Sequence, residues 1–363
     1  MSHGHKDAAH KEAARKDTAH AEILASDNLS PAVTALLAGN VIGMPTETVY
    51  GLAGNAFDVA AVTKIFQAKE RPSFDPLIVH IPESLKSVHA LAAAEIVNGD
   101  SITPGMRKIF DALAHSFWPG PLTMIVPKHS KIPDLVTSGL DRVGVRMPSH
   151  PVAQEILREC QRPLAAPSAN RFGRISPTTA KHVMEELGDR IPYIVDGGPC
   201  DIGVESTVIA IDEDRVWLLR PGKISMGELS AVVDVPVVRA PSIHEKASPG
   251  MLASHYAPKK TMYVLASETG LPEAIRHKSC DLLVTSGEGT AELQSIKSLG
   301  LAPNNIIYLS KAADAAEAAK GLFAAMRTLD SSASDIILVT APPANDGLWF
   351  AIQDRLHRAS SKL

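Results

Sequence analysis

The sequence has little of what several large classes of protein require. It carries only three cysteines, Cys160, Cys200 and Cys280, an odd number at wide spacing. This excludes a disulfide framework and a paired-cysteine metal site, and it is typical of a reducing compartment, so we expect a cytoplasmic protein. No apolar run approaches the about 18 residues that a membrane-spanning helix needs, so we expect no membrane contact.

Positive charge is not in excess either. The chain has 36 Lys+Arg against 40 Asp+Glu, which gives a formal net charge of -4 at pH 7. A protein that binds nucleic acid through its overall charge needs a basic excess to neutralise phosphates. The GxGxxG and GxxxxGK[ST] patterns of two common nucleotide-binding folds are also absent. Any polyanionic ligand must therefore be held by a local arrangement of side chains.

The first 27 residues differ in composition from the rest. Four histidines, His3, His5, His10 and His20, stand among mixed charges with almost no large apolar side chains. A secretory signal needs an apolar segment and a mitochondrial presequence is poor in acids, so neither description matches. A segment this polar cannot bury enough surface to fold alone. We therefore predict that residues 1–27 form a disordered His-rich tail without a function.

The remaining pattern predicts an α/β protein with two domains. Residues 28–235 combine amphipathic helices, one of them expected to begin at Ser176, with short buried strands of a large mixed sheet. Residues 236–260 contain four prolines without periodicity and read as a long linker. Residues 261–363 alternate strand and helix, which implies parallel strands with crossover helices, a small Rossmann-like domain of about four strands.

Several charged side chains are expected around one strand. Lys69 and Arg71 end a helix, where cations also suit the helix dipole without any function. The next turn leads through Asp75 into a strand that ends at His80. Fixed cations in such a cluster suit phosphate chemistry, because charge spreads over phosphoryl oxygens in the transition state. Arg146 lies within another apolar strand, where its guanidinium fork would suit a carboxylate.

Nine short motifs occur in order along the chain. They are PTETVYGL (45–52), KxRP (69–72) with PLIVH (76–80) downstream, WPGPLT (118–123), VRMP (145–148), APSAN (166–170), DGG (196–198), GVEST (203–207), LLRPG (218–222) and SPGMxxxHYAP (248–258). In this order the chain closely resembles the threonylcarbamoyl-AMP synthase family, over about residues 28–363. The resemblance is to the longer, two-domain members, and it implies a YrdC-like catalytic domain over 28–235 and a linker that acts as a lid.

The resemblance implies a nucleotidyltransferase that forms threonylcarbamoyl-AMP and pyrophosphate from L-threonine, bicarbonate or carbon dioxide, and ATP. The product serves the threonylcarbamoyladenosine modification of tRNA next to the anticodon, through a separate transfer complex. Mg²⁺ is expected through the ATP phosphates, without nameable protein ligands. A weak contact with tRNA itself is left open.

The same resemblance assigns residues motif by motif. The residues implied to hold L-threonine are Thr46, His80, Arg146, Ala166 and Ser206. Those implied to hold ATP are Lys69, Arg71, Asp75, Arg142, Ser168, Asn170, Arg220 and Tyr256. Lys69, Arg71 and Arg220 are implied to be catalytic, by neutralising the α-phosphate and the leaving group.

Two positions depart from the family pattern. Asp75 stands where the family usually has asparagine, and a carboxylate near a polyanion is unfavourable unless a cation such as Mg²⁺ or Arg71 lies between. Arg142 stands where relatives often have a small hydroxyl residue, and it either adds a phosphate contact or points to solvent. Asp75 is therefore a weaker candidate for ATP contact than the other residues.

Two other functions remain as alternatives. The first is an RNA-binding or regulatory YrdC-type module without synthase activity, which the lack of a basic excess argues against. The second is a carbamoyl-transferring maturation enzyme, because a related domain occurs in hydrogenase-maturation proteins. Those proteins carry zinc-finger regions, and this chain has no cysteine clusters for them.

Overall fold

Two separate sheets organise the chain. A computed structural model describes residues 20–241, 255–265, 277–288, 300–343 and 347–360, together with 294, 296 and 298. Eleven strands form a mixed sheet in the order β1-β8-β2-β3-β7-β4-β6-β5-β9-β10-β11, and four form a second sheet. The α/β class predicted from the sequence, with one large mixed sheet and one smaller sheet, is confirmed.

The first sheet and its helices have the following bounds. The strands are β1 (Glu22–Ala25), β2 (Ile42–Met44), β3 (Gly51–Asn55), β4 (Ile78–His80), β5 (Leu122–Pro127), β6 (Arg142–Arg146), β7 (Leu164–Ala165), β8 (Tyr193–Asp196), β9 (Thr207–Ile211), β10 (Val216–Arg220) and β11 (Val237–Arg239). The helices are α1 (Ser30–Leu37), α2 (Val59–Lys69), α3 (Val88–Ala93), α4 (Pro104–Phe117), α5 (Asp134–Thr137), α6 (Pro151–Cys160), α7 (Ala180–Leu187) and α8 (Met226–Ser230), with short 3-10 helices at Glu83–Leu85 and Gly99–Ser101.

The second sheet is wholly parallel. Its strands are β12 (Thr261–Leu265), β13 (Cys280–Val284), β14 (Ile306–Tyr308) and β15 (Ile336–Thr340), in the order β12-β15-β13-β14. The helices described beside it are α9 (Ala315–Asp330) and α10 (Gly347–Ala359). The Asp314 side chain accepts a hydrogen bond from Glu317 N and so caps α9.

Local sequence explains why the helices begin where they do. The carboxylate of Asp58 accepts from Ala60 N and caps α2, as its position before an apolar stripe predicts. The helix predicted to open at Ser176 begins later, at Ala180. Thr179 takes the cap, because Pro177 O accepts Tyr50 N and Thr178 O accepts Cys200 N, which holds this stretch extended.

The strand β1 lies inside the segment predicted to be a tail. It pairs in parallel with β8, from Glu22 opposite Tyr193 to Ala25 opposite Asp196. Leu24 is buried there with 2% of its surface exposed, so one apolar side chain and a free sheet edge are enough to order this polar stretch. Residues 1–19 of the predicted tail lie outside the described residues.

The strand β11 similarly falls in the segment predicted to be a linker. Val237–Arg239 pairs in parallel with β10 and extends the sheet edge. Residues 242–254, which include the SPGM part of the last motif, lie outside the described residues. The described part of the linker resumes at His255.

The two sheets are joined through an apolar interface. One hydrophobic core combines Val49 and Val204 of the first domain with Tyr256 and with Phe323 of α9. Gly203 allows this close approach: its φ is +80°, and a Cβ there would lie 2.5 Å from Ala319 O. The second domain therefore packs directly behind the GVEST motif. No helix in the described part of the chain is long and apolar enough to cross a membrane.

Candidate active site

A small cavity lies where the motif-bearing loops meet. It has a volume of about 50 Å³ and is lined by Thr48, Val49, Arg71, Ile78, His80, Arg146, Ala166, Pro167, Ser168, Glu205, Ser206, Arg220, His255 and Tyr256. Larger surface clefts exist elsewhere, and one of them is lined by Leu218, Pro221 and Gly222 of the LLRPG motif, but these clefts contain none of the residues assigned to L-threonine or ATP. The cavity therefore marks the candidate site through the chemistry of its lining rather than through its size.

Arg146 and His80 enter the cavity from neighbouring strands. They are register partners in the parallel pair β4–β6, so two motifs that are far apart in sequence become adjacent. Arg146 Nη2 lies 2.7 Å from Glu47 Oε1, and its Nη1 donates to Thr48 Oγ1 at 2.8 Å. The Arg146 and Glu47 side chains are 5% and 7% exposed, so this is a buried ion pair. One terminal nitrogen of the Arg146 guanidinium is therefore already paired with the Glu47 carboxylate.

The imidazole of His80 is kept neutral. Burial, and next the positive charge of Arg146, lower its pKa from 6.5 to about 3. His80 Nδ1 lies 3.3 Å from Ile78 O. A neutral imidazole beside a cation can offer a hydrogen bond to a ligand without adding charge to the site.

Arg220 and Ser206 form one unit at the opposite side of the cavity. Arg220 Nε donates to Ser206 O at 3.1 Å, and Nη2 donates to Ser206 Oγ at 3.1 Å. Ser206 Oγ also lies 2.8 Å from Thr123 Oγ1. Gly222 makes the turn after Arg220 possible, since a Cβ there would lie 2.3 Å from Thr207 N. The GVEST and LLRPG motifs are therefore fastened to each other.

Lys69 supports the APSAN loop from beneath. Its Nζ donates to Ser168 O and to Asn170 O, both at 2.5 Å. Burial, and next the charge of Arg71, lower the pKa of Lys69 well below 10.5. Asn170 Nδ2 donates to the carbonyls of Arg171 and Arg174. Lys69 and Asn170 thus hold the loop and do not line the cavity, whereas Ser168 does.

Arg71 is neutralised within its own turn. Arg71 Nη2 lies 2.8 Å from Asp75 Oδ2, with both side chains 3% exposed, and Arg71 also donates to the carbonyls of Asp75 and Pro76. Asp75 itself does not line the cavity. The cation that an aspartate needs at this position is therefore present, and it is Arg71.

His255 and Tyr256 close the cavity from the second domain's side. Tyr256 is 1% exposed, stacks on Phe323 with ring centroids 5.5 Å apart, and has a φ of +62°, which costs a non-glycine residue about 1 kcal/mol or more. Burial, and next the charge of Glu205, raise the pKa of the Tyr256 hydroxyl. Within the described residues, Tyr256 Oη and His255 Nδ1 are buried without a hydrogen-bond partner. Unsatisfied buried groups beside a cavity are what a ligand can satisfy.

Two further residues assigned from the motifs also lie outside the cavity. Thr46 Oγ1 donates to Val49 O at 2.6 Å and lies 2.9 Å from Thr48 Oγ1, so it shapes the PTETVYGL turn. Arg142 is paired with Asp212 at 2.9 Å and donates to Ile211 O. It begins β6 while Arg146 ends it, and four residues of strand correspond to about 13 Å.

The motifs also contain cavity residues that the sequence did not single out. Thr48 and Glu205 line the cavity from PTETVYGL and GVEST, and His255 does so from HYAP. Glu47 partners Arg146 from the first of these motifs. Their signal was their place inside a motif, since their residue types alone are ordinary for turns and surfaces.

The described residues offer no ready-made metal site. Among them there is no group of three or more His, Cys, Asp or Glu side chains that could hold a metal ion. The one carboxylate in the cavity lining, Glu205, is already bonded to Ser176 Oγ at 2.6 Å and paired with Arg355 at 3.0 Å. A divalent cation would fit here only if the ligand brings oxygen atoms of its own.

Comparisons with known proteins cover both domains. A Sua5/YciO/YrdC family model, described as telomere recombination, matches residues 34–222. A model described as threonylcarbamoyl-AMP synthase, C-terminal domain, matches residues 224–361. The junction between the two matches falls just after the LLRPG motif.

Individual relatives match over nearly their whole lengths. A threonylcarbamoyl-AMP synthase from Pyrococcus abyssi is 38% identical over 326 residues, which cover 89% of this chain and 91% of the relative. One of the same name from Bacillus subtilis is 38% identical over 354 residues, covering 93% and 95%. The crystal structure of P. abyssi Sua5 complexed with L-threonine is similar with a TM-score of 0.77 and 33% identity, over 93% of this chain and 97% of that one.

Proposed function

This chain belongs to the threonylcarbamoyl-AMP synthase family, and from that premise we propose that it is a nucleotidyltransferase that makes threonylcarbamoyl-AMP. The substrates are L-threonine, carbon dioxide in equilibrium with bicarbonate, and ATP, and the second product is pyrophosphate. Threonylcarbamoyl-AMP then goes to a separate complex that modifies tRNA. The three cysteines are all free and buried, which accords with a cytoplasmic setting.

One observation carries the proposal. Three buried arginines, Arg71, Arg146 and Arg220, converge on a single cavity in a chain whose overall charge is negative. Burying arginine is costly unless a partner or ligand compensates the charge. Asp75 and Glu47 already face Arg71 and Arg146, so a ligand with several negative charges, such as an amino acid together with a triphosphate, would bind the remaining N–H groups of these two guanidiniums.

The L-threonine side of the site is the pair of strands β4 and β6. Arg146 would take the threonine carboxylate through the N–H groups that its guanidinium does not use for Glu47 and Thr48. The neutral His80 and the hydroxyl of Ser206 are placed to accept or donate hydrogen bonds around the amino acid, and Ala166 leaves room for its close approach. Thr46 would act through Thr48, whose hydroxyl lies beside that of Thr46 and accepts a hydrogen bond from Arg146 Nη1.

The ATP side is formed by Arg71, Arg220, Ser168 and Tyr256. Arg220 is fixed by Ser206, so its charge can be aimed at phosphates without a cost of ordering. Lys69 uses two of its three ammonium donors on the APSAN loop, so its charge would act on the phosphates from behind this loop and not by direct contact. Asn170 would contribute by holding the same loop.

The reaction needs no protein nucleophile. The threonine amine forms a C–N bond to carbon dioxide and loses a proton, which gives a carbamate. A carbamate oxygen then attacks the α-phosphorus, and the bond to the bridging oxygen breaks as pyrophosphate leaves with the electron pair. The residues position the two substrates and neutralise the charge that builds on the phosphoryl oxygens. Burial keeps water away from the carbamate and the mixed anhydride.

The cavity must open for substrates to enter. Its volume of about 50 Å³ is well below the about 300–1,000 Å³ of pockets that hold small molecules. His255 and Tyr256 line it from the segment that follows residue 254, so these two rings are the part of the cavity wall that the linker supplies. We propose that the linker acts as a lid through these two rings.

Mg²⁺ would be held through the ATP phosphates. The described residues hold no carboxylate cluster for it, and magnesium commonly binds through substrate oxygens with few protein ligands. When bound, it would neutralise phosphate charge. The RNA-binding alternative is not favoured, because the relatives that match over most of the chain are named as synthases.

Pyrophosphate release tests the proposal. Purified protein is given ATP, Mg²⁺ and bicarbonate, with and without L-threonine, while threonylcarbamoyl-AMP is detected by mass. We expect release that depends on L-threonine and is lost in Arg146→Ala. The matched control is Arg142→Ala, an arginine of the same strand that is paired with Asp212 outside the cavity. Release without L-threonine, or equal loss in both variants, would contradict the proposal.

A further inference from the structure

The last helix of the second domain sends one arginine into the first domain. Arg355 of α10 has no exposed surface, at 0% of its side chain. Its Nε lies 3.0 Å from Glu205 Oε2, and its Nη1 donates to Pro221 O at 2.6 Å. The guanidinium carbon lies 5.7 Å from the centre of the Tyr256 ring. Arg355 is thus a contact point for three separate segments of the site.

Each of these contacts is made next to a residue of the cavity. Glu205 and Tyr256 line the cavity themselves. Glu205 also directly precedes Ser206, and Pro221 directly follows Arg220. One side chain therefore fixes GVEST, the LLRPG turn and the aromatic cover relative to one another. Three of the groups proposed to meet the substrates depend on it for position.

The electrostatics of the contact also bear on the site. Burial alone would raise the pKa of Glu205, but the charges of Arg355 and Arg220 and a hydrogen bond from Ser176 outweigh it and hold the pKa below its usual value. Asp354 adds a second carboxylate, 3.1 Å from Arg355 Nη1. Without the guanidinium, an unbalanced carboxylate would lie beside Arg220 and compete with a phosphate for it.

We propose that Arg355 is a positioning residue of the active site, contributed by the C-terminal domain, which sets the placement of Arg220, Ser206 and Tyr256 through its bonds to Glu205 and Pro221. This inference rests on the proposed synthase function for its kinetic consequences. It gives the second domain a part in the chemistry that does not require contact with substrate.

The test compares Arg355→Met with Arg327→Met. Arg327 also reaches from the second domain to the first, where it pairs with Glu186 at 3.1 Å and donates to Ile175 O, and neither partner lines the cavity. We expect both variants to lose thermal stability. Only Arg355→Met should lose kcat for pyrophosphate release, by about tenfold to a hundredfold, because small misplacements of positioned groups have effects of this size.

Rescue and a second measurement separate positioning from general stability. Arg355→Lys keeps the charge beside Glu205 but replaces the planar fork, which spans Glu205 and Pro221 O, with a single compact ammonium, so kcat should recover in part. Amide hydrogen exchange over residues 203–222 should become faster in Arg355→Met and stay as in the parent protein in Arg327→Met. This measurement needs no activity, so it still decides the inference if the parent protein releases no pyrophosphate and the proposed function fails.

Two kinds of result would contradict a positioning role for Arg355. Parent-like kcat and exchange in folded Arg355→Met, or equal losses of both in Arg327→Met, would overturn the inference. If Arg355→Met does not fold, Glu205→Gln replaces it, since it removes the charge that Arg355 holds while keeping the size of the side chain. Unchanged kcat and unchanged exchange in Glu205→Gln would then overturn it.

Discussion

The buried pair of Arg71 and Asp75 allows a prediction with opposite effects on stability and on ligand binding. In Asp75→Asn the side chain keeps its size but loses the charge that faces Arg71 at 2.8 Å. Removing one partner of a buried ion pair costs about 3–5 kcal/mol. Arg71 retains its hydrogen bonds to the carbonyls of residues 75 and 76. We therefore expect a loss of stability below this range, of about 2 kcal/mol. This corresponds to a fall in Tm of about 4–8 °C.

The same change should strengthen ATP binding. In the parent protein, Asp75 and a phosphate would share one guanidinium. Two anions on either side of it, about 7 Å apart, repel by roughly 2 kcal/mol at an effective dielectric constant of about 20. Screening by salt reduces the gain, so we expect the Kd for ATP to fall by about tenfold. The stabilisation by saturating ATP should accordingly be larger in Asp75→Asn than in the parent protein.

Calorimetric titration with ATP and thermal unfolding with and without ATP measure the two effects. The control is Asp212→Asn, which removes the partner of Arg142 outside the cavity and should leave the Kd for ATP unchanged. A lower Tm together with an unchanged or higher Kd in Asp75→Asn would show that Arg71 does not share its charge with the nucleotide. The assignment of Arg71 to ATP would then be refuted.

Two pH dependences follow from the buried site. The pKa of His80 is lowered from 6.5 to about 3. Below pH 6.5 the unfolded chain therefore binds a proton that the folded protein does not, and the free energy of unfolding falls as the pH falls. In His80→Gln the decrease in this free energy from pH 6.5 to pH 5 should be smaller by up to about 2 kcal/mol. An equal fall would show that His80 is protonated in the fold. The pKa of Lys69 is lowered below 10.5, so the affinity for ATP should weaken as the pH rises through that lower value. Lys69→Arg stays charged and should bind ATP equally well from pH 7 to pH 10. An equal weakening in this variant would contradict the assignment of Lys69 to the ATP side of the site.

Most of the central strands could be predicted because their signal is local. Apolar runs such as Tyr193–Asp196 and Ile336–Thr340 form strands, as their composition indicates. The short strands β1, β7 and β11 could not be predicted in this way. Each has two to four residues and exists because a neighbouring strand offers unpaired backbone groups, which is a property of the assembled sheet.

The motifs predicted which segments would form the site, but not the contacts within it. His80 and Arg146 become neighbours through the register of β4 and β6. Arg142, only four residues from Arg146, is kept away because an extended strand separates its two ends. Arg142 and Arg146 are thus close in sequence but not in the fold, and the motifs could not show which of the two reaches the site.

Local patterns were enough to predict the α/β class, the order of the motifs and an anion-binding chemistry, because strand patterns and turn residues act over short distances. The pairing of charges became visible in the folded protein alone: Arg71 with Asp75, Arg146 with Glu47, and Arg355 with Glu205. The last pair joins residues 150 positions apart. Its partners meet because the two domains bury a common interface, and a charge buried in that interface is unfavourable unless an opposite charge lies beside it.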